Sequence, residues 1–227
     1  MLDASEAREV WRAAGTLATP YGPMLRFALL TLCRREEATA MTWGEVSPEL
    51  STWTQAAART KNGKAHVVHL SEPARAILRD LIGAEEGKPL PKLPKADQMV
   101  FAVLGGKAIT THSWVKRNMD KSIAEARAKA AGEEAPAPMP HWTMHDFRRS
   151  GVTWLAGAGF APHVADKLLN HTQGTIKGVA AVYQRGEFAE ERKRALDAWG
   201  LHVVTQAEGK PAADKVADLA AHRRAVA

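Results

Sequence analysis

The sequence predicts a mainly α-helical chain with one small antiparallel β-sheet, an α+β architecture, and three observations carry that expectation. Apolar residues recur at helical spacing, as in Leu25, Ala28, Leu29 and Leu32. Only the stretch around residues 50 to 70 breaks into short β-like runs, STWTQAA and AHVVHL, separated by RTKNGK. With 227 residues, 45% hydrophobic and 25% charged, the chain can bury one sizeable core and is too polar for a membrane protein.

Residues 3 to 14 and 22 to 42 read as helices, the second with its charges gathered late at Arg34, Arg35, Glu36 and Glu37. Asn62-Gly63 is a strong hairpin-turn signal, which puts Lys61 at or beside the tip of a β-hairpin. Ser71-Glu72-Pro73 opens a helix to about Ile82, because Ser caps free backbone amides and Pro is tolerated in the first turn. A loop rich in Gly, Pro and Lys follows to Asp97, then the apolar run VFAVL and a Gly-Gly turn. Thr110 or Thr111 introduces a helix of alternating charge to about Ala131, and GEEAPAPMP is a second loop.

Thr143, with Asp146 three residues on, reads as a capping-box variant that starts a helix ending near Gly157 or Gly159. His145 and Arg148 then share a helical face. Ala161-Pro162 starts a short helix to Leu169, and a last helix runs from Glu187 to about Trp199. Residues 205–227, Ala-rich and polar, read as a tail, flexible or docking on a neighbouring protomer.

The formal net charge of +6 favours a polyanionic partner, nucleic acid first, because Lys and Arg that neutralise phosphates release counterions. The single cysteine, Cys33, excludes an intrachain disulfide and a cysteine-only zinc site. No secretory leader pattern and no apolar run of bilayer length is present, so the expected compartment is the cytoplasm. His141 and His145 are four apart, but Trp-Thr-Met between them lacks the glutamate of a zinc protease. Ser150-Gly151 lacks the preceding Gly of a nucleophile elbow, and no phosphate-binding Gly-x-x-x-x-Gly-Lys loop occurs. The seven tryptophans read mainly as core, with Trp142 able to approach DNA beside the His145 helix.

Two arginines, a turn lysine, two histidines and a tyrosine are parts for phosphoryl transfer without a metal. Two guanidinium forks clamp non-bridging oxygens and hold the extra charge of a pentacoordinate transition state. A tyrosine hydroxyl is a nucleophile, and a lysine protonates the leaving oxygen. Tyr183 is one of two tyrosines, and Tyr21 precedes Arg34, where no attack motif exists. Lys64, across the turn, competes with Lys61 for the lysine role.

At this point the motifs become particular. LLTLCRREEATAMTW resembles the first arginine motif of the tyrosine recombinases of the phage-integrase type, with Arg34 in the place of the first catalytic arginine and Glu37 its supporting acid. RTKNGKAHVVHLS resembles the family's hairpin, with Lys61 in the place of its lysine. HDFRRSGVTWLAGAG resembles the His-x-x-Arg box, giving His145 and Arg148. LLNHT resembles the later Leu-Leu-Gly-His element, giving His171, and Tyr183 follows twelve residues on, where the nucleophile is expected. Asn170 stands where Gly is common before the histidine, and Leu32-Cys33 where Gly-Leu or Gly-Met is common before the arginine, so local backbone differences are expected.

The resemblance runs from about residue 20 to 200 and implies the tyrosine-recombinase catalytic fold over residues 1–204, without the N-terminal core-binding domain. It implies a site-specific integrase acting through a 3′-phosphotyrosine, for integration or excision of a prophage or genomic island. Arg34, Arg148 and His171 would hold the phosphate, His145 would assist proton transfer, Lys61 would protonate the 5′ oxygen, and no cofactor or metal is called for. The implied partners are double-stranded DNA attachment sites, other protomers in a DNA-bound tetramer, and accessory DNA-bending or excision factors. A topoisomerase of type IB shares the chemistry, and a catalytically silent DNA-binding regulator of a mobile element is the reading from another class.

Overall fold

The computed structural model describes residues 1–60, 62–132, 138–171 and 188–208. Helix α1 (Ala4–Thr16) starts with a reciprocal cap, Glu6 N donating to Asp3 Oδ1 at 2.8 Å and Asp3 N to Glu6 Oε2 at 2.9 Å. Helix α2 (Tyr21–Thr31) buries Met24, Leu25, Phe27, Ala28, Leu29 and Leu30, so it is apolar on nearly every side and sits at the centre. Helices α1, α4 (Glu72–Leu81), α6 (His145–Gly157) and α8 (Ala189–Glu208) pack on it. Trp199 of α8 donates its indole N–H to the Leu29 carbonyl at 2.8 Å, a buried bond that joins the last helix to the central one.

The expected helix over 22–42 is two helices. Leu32 takes a left-handed conformation (φ 55°), Arg34 is extended (φ −74°, ψ 151°), and the short α3 (Arg35–Thr39) starts afresh. No Gly or Pro marks this break. It costs roughly 1–2 kcal/mol for an L-residue, which the complete burial of the Leu32 side chain offsets.

Strands β1 (Thr52–Gln55) and β2 (His66–His69) pair antiparallel from Thr52↔His69 to Gln55↔His66, as expected. Their connection is longer than a two-residue turn. It runs from Ala56 to Ala65 and contains a 3₁₀ turn (Ala57–Arg59), and Asn62-Gly63 closes only a local bend, Gly63 N donating to the Thr60 carbonyl at 3.2 Å. The Gly-Gly turn, Gly105-Gly106, joins the strands of a second, minimal pair, β3 (Ala102–Val103) with β4 (Lys107–Ala108). Helix α5 (His112–Ala131) follows, ending at Gly132 with φ 68°.

Helix α6 begins at His145, two residues after the expected cap. The roles are reversed: Asp146 Oδ2 accepts from Thr143 N at 2.9 Å and from Thr143 Oγ1 at 3.1 Å. Trp142 does not approach the surface, because it is 2% exposed, stacked on Phe147, and donates its indole N–H to Asp120 at 3.0 Å. Helix α7 (Pro162–Leu168) is as expected. Helix α8 continues past Trp199 to Glu208, burying Val203 and Ala207, so the first residues of the expected tail are helical. Arg12 of α1 holds that end through the Ala207 carbonyl at 2.9 and 3.1 Å. Residues 209–227, the rest of that tail, lie outside the described residues. Among the described residues no helix is long and apolar enough to cross a membrane.

Gly151 of α6 faces the Leu32 turn, and a Cβ there would stand 2.4 Å from Leu32 Cδ2 and 2.6 Å from Cδ1. Gly151→Ala is therefore expected to destabilise the fold by about 1–3 kcal/mol. Urea denaturation measures it, and an unchanged midpoint would show that the Leu32 turn is not held by this contact.

Candidate active site

Arg148 is the structural centre of the site. It lies on the inner face of α6 and is 3% exposed. Its Nη1 donates to the Leu32 carbonyl at 2.5 Å and its Nη2 to the Leu169 carbonyl at 2.8 Å. Leu32 caps the C-terminus of α2 and Leu169 that of α7, so the cation rests between the negative ends of two helices. Burial, with the Arg34 charge adding to it, pulls this guanidinium down to about 10, and it remains a cation at neutral pH.

Arg34 is fixed by one carboxylate at both ends. Its backbone N–H donates to Glu37 Oε2 at 2.7 Å and its Nη1 to Glu37 Oε1 at 2.8 Å. Glu37 sits on the first turn of α3, so the break at Leu32 is what lets Arg34 fold back onto the acid three residues ahead. A cleft of about 290 Å³ is lined by Cys33, Arg34, Arg35 and Glu36 around the start of α3 and by His145 and Arg148 of α6. Burial pushes the Cys33 thiol up to about 12, so it lines the cleft as an inert thiol.

His145 is exposed at the start of α6. His171 follows the end of α7, its backbone N–H donating to the Asp166 carbonyl at 3.0 Å and its Nδ1 lying 3.6 Å from Asp166 Oδ1. Burial and then the charges of Arg148 and Arg34 hold its imidazole below the usual histidine range. The residue before it, Asn170, has φ 51°. Both positions where glycine is common in the family that the motifs resemble, Leu32 and Asn170, adopt the left-handed conformation with a side chain in place.

The structure therefore brings Arg34, His145 and Arg148 onto one cleft, braces Arg34 with Glu37, and sets His171 within the field of the two arginines. Lys61 and Tyr183 lie outside the described residues. Tyr21 packs on Trp114 at 5.1 Å between ring centroids and does not line this cleft. Among the described residues no three His, Cys, Asp or Glu side chains gather in a way that could hold a metal ion. Sequence reasoning passed over Arg59, whose Nη2 donates to the Glu37 carbonyl at 3.2 Å and whose Nη1 pairs with Glu45. Nothing about a lone arginine in a loop marks it as a brace.

Comparison with known proteins adds three findings. The model of the phage integrase family matches residues 1–185. Prophage integrase IntA of Escherichia coli (strain K12) is 29% identical over 178 residues, which cover 78% of this chain and 37% of IntA, so the chain spans little more than a third of that relative's length. The site-specific recombinase XerH, in a pre-cleavage complex with its difH substrate, has a similar fold, with a TM-score of 0.52 and 17% identity over 75% of this chain and 47% of XerH.

The electrostatics give a titration test. His171 is expected to have its NMR midpoint below the ordinary histidine value in the free protein, and to move upward when sulfate is added, since an anion between the arginines cancels the charge that opposes its protonation. A midpoint that ignored sulfate would place the anion site elsewhere.

Proposed function

Because the chain belongs to the phage integrase family, we propose that it carries the catalytic domain of a site-specific DNA recombinase, which cuts and rejoins duplex DNA through a covalent bond to Tyr183. The observation that supports this reading best is a pair of guanidinium groups fixed on one cleft, Arg148 by two helix-end carbonyls and Arg34 by Glu37. Such donors are already in position when charge develops, so they favour the transition state over the ground state.

In this reading the Tyr183 oxygen attacks the scissile phosphorus and its proton passes to His145. Arg34, Arg148 and His171 hold the non-bridging oxygens. The bond from phosphorus to the 5′ oxygen breaks, its electron pair stays on that oxygen, and Lys61 supplies the proton. The product is a 3′-phosphotyrosine that keeps the energy of the broken link. The 5′ hydroxyl of a partner strand reverses the steps and frees the tyrosine.

The partner is double-stranded DNA at attachment sites, in keeping with the net charge of +6 and with the difH substrate bound by the site-specific recombinase XerH. Strand exchange pairs two sites within a tetramer of protomers, assisted by DNA-bending or excision factors, and the reaction integrates or excises a prophage or genomic island. The catalytic domain is assigned to the chain through Glu208, since α8 closes the fold on α1 and α2.

A nicked suicide duplex carrying the element's end sequence is expected to trap an SDS-resistant protein–DNA band with the wild-type protein and none with Tyr183→Phe. A band that survives Tyr183→Phe would overturn the nucleophile. Arg34→Ala and Arg148→Ala are each expected to slow band formation by about 10²–10³-fold, the usual cost of one preorganised transition-state donor. Single-turnover gels measure it, and rates within threefold of wild type would refute the clamp.

A further inference from the structure

The loop between β1 and β2 is fastened on both sides of residue 61. Upstream, Arg59 is bound to Glu45 and to the carbonyl of Glu37, the acid that grips Arg34. Thr60 is 8% exposed, and its hydroxyl lies 3.0 Å from the Ala57 carbonyl and 2.7 Å from the Lys64 carbonyl. Downstream, Asn62 Nδ2 donates to Asn170 Oδ1 at 2.6 Å, and the return contact from Asn170 Nδ2 to Asn62 Oδ1 is 3.5 Å. Asn62 Oδ1 also accepts from the Lys64 backbone N–H at 3.2 Å.

Asn170 occupies the junction of the site. The residue before it supplies the carbonyl that holds Arg148, and the residue after it is His171. Its φ of 51° is a conformation that glycine adopts without strain and that asparagine tolerates better than most side chains, so the backbone admits either residue. The amide bond to Asn62, 108 residues away in sequence and partly shielded from water, is what asparagine adds there and glycine could not.

We propose that the Asn62–Asn170 pair is a positioning device that holds the loop bearing Lys61 against the His171 end of the site, so that the lysine ammonium is in place when the 5′ oxygen departs. This rests on the reading of Lys61 as the general acid. A general acid acts only within about 2.6–3.2 Å of its target, and a lysine on an unfastened loop would have to be ordered anew in each turnover. The pair acts on the proton delivered to the leaving oxygen and leaves the attack by Tyr183 unchanged.

A change of leaving atom tests this. The suicide duplex is prepared with the ordinary bridging oxygen at the 5′ side of the scissile phosphate and, separately, with sulfur there, because a thiolate departs without being protonated. Asn170→Gly accepts the left-handed backbone, and Asn62→Ala removes the same bond from the other side. Each is expected to form covalent product about 10-fold more slowly than wild type on the oxygen substrate, a fraction of what a general acid contributes. On sulfur each should match wild type within about 2-fold, and the double variant should be no slower than either single, as for one shared interaction. Equal slowing on both substrates, no slowing on oxygen, or additive losses in the double variant would overturn the pair's role. Lys61→Ala and Tyr183→Phe run beside them. If sulfur fails to rescue Lys61→Ala, the general-acid reading falls and takes the proposal with it. If it rescues Lys61→Ala but neither asparagine variant, only the proposal falls.

Discussion

A buried guanidinium with no carboxylate of its own governs this structure. Arg148 is 3% exposed, and its hydrogen bonds run to two main-chain carbonyls. Removing a cation from water costs several kcal/mol even after relaxation, and here the compensation comes from the ends of α2 and α7, whose free carbonyls carry the negative pole of each helix. Glu37, the acid whose charge Arg148 feels, is committed to Arg34. The cleft is thus left with more positive charge than its own side chains neutralise, and a phosphodiester is suited to complete it. A preorganised cationic site of this kind lowers the stability of the fold in exchange for a field that needs no rearrangement when charge develops.

That requirement reaches into the backbone. The Leu32 carbonyl can face Arg148 only if α2 stops one residue earlier and Leu32 turns left-handed, and the same turn frees Arg34 to extend and meet Glu37. Leu32 is tolerated there because its side chain is wholly buried and packs on Gly151, a position of α6 one turn beyond Arg148 where no Cβ fits. The steric fit of a leucine on a glycine and the placing of two arginines are therefore one feature. At the other helix end, Asn170 meets a similar backbone demand with a side chain that binds the opposite loop.

This explains which parts could be read from the sequence. The order of helices and strands followed from periodicity, since burial of one face is a local pattern. Arg34, Glu37, His145, Arg148 and His171 were legible because their motifs resemble, in order, those of the tyrosine recombinases, and four of them line or brace one cleft while His171 feels the arginine charges. The break at Leu32 was hidden, because leucine is a strong helix former and only a tertiary contact with Gly151 overrides it. Asn62-Gly63 suggested a two-residue hairpin turn, but the strands pair from Gln55 and His66, and the intervening residues serve contacts with Glu37, Glu45 and Asn170. Trp142 read as a surface group because sequence cannot show that Asp120 and Phe147 enclose it.

Helix α7 holds the described residues on both sides of the segment 172–187. His171, before that segment, is tied to Asp166 of α7 through its backbone and lies near it through its ring. Phe188, after it, packs on His163 of the same helix at 4.4 Å between ring centroids, and its carbonyl accepts from Arg192 N at 2.8 Å as α8 begins. The two attachment points therefore belong to one short helix, and the C-terminal end of that helix supplies the Leu169 carbonyl to Arg148. A displacement of α7 would move the arginine's support together with His171 and Phe188. In the proposed reaction α7 thus links the arginine's support to the residues that flank 172–187, which gives a small helix with an unremarkable sequence a larger share in the site than any motif assigns to it.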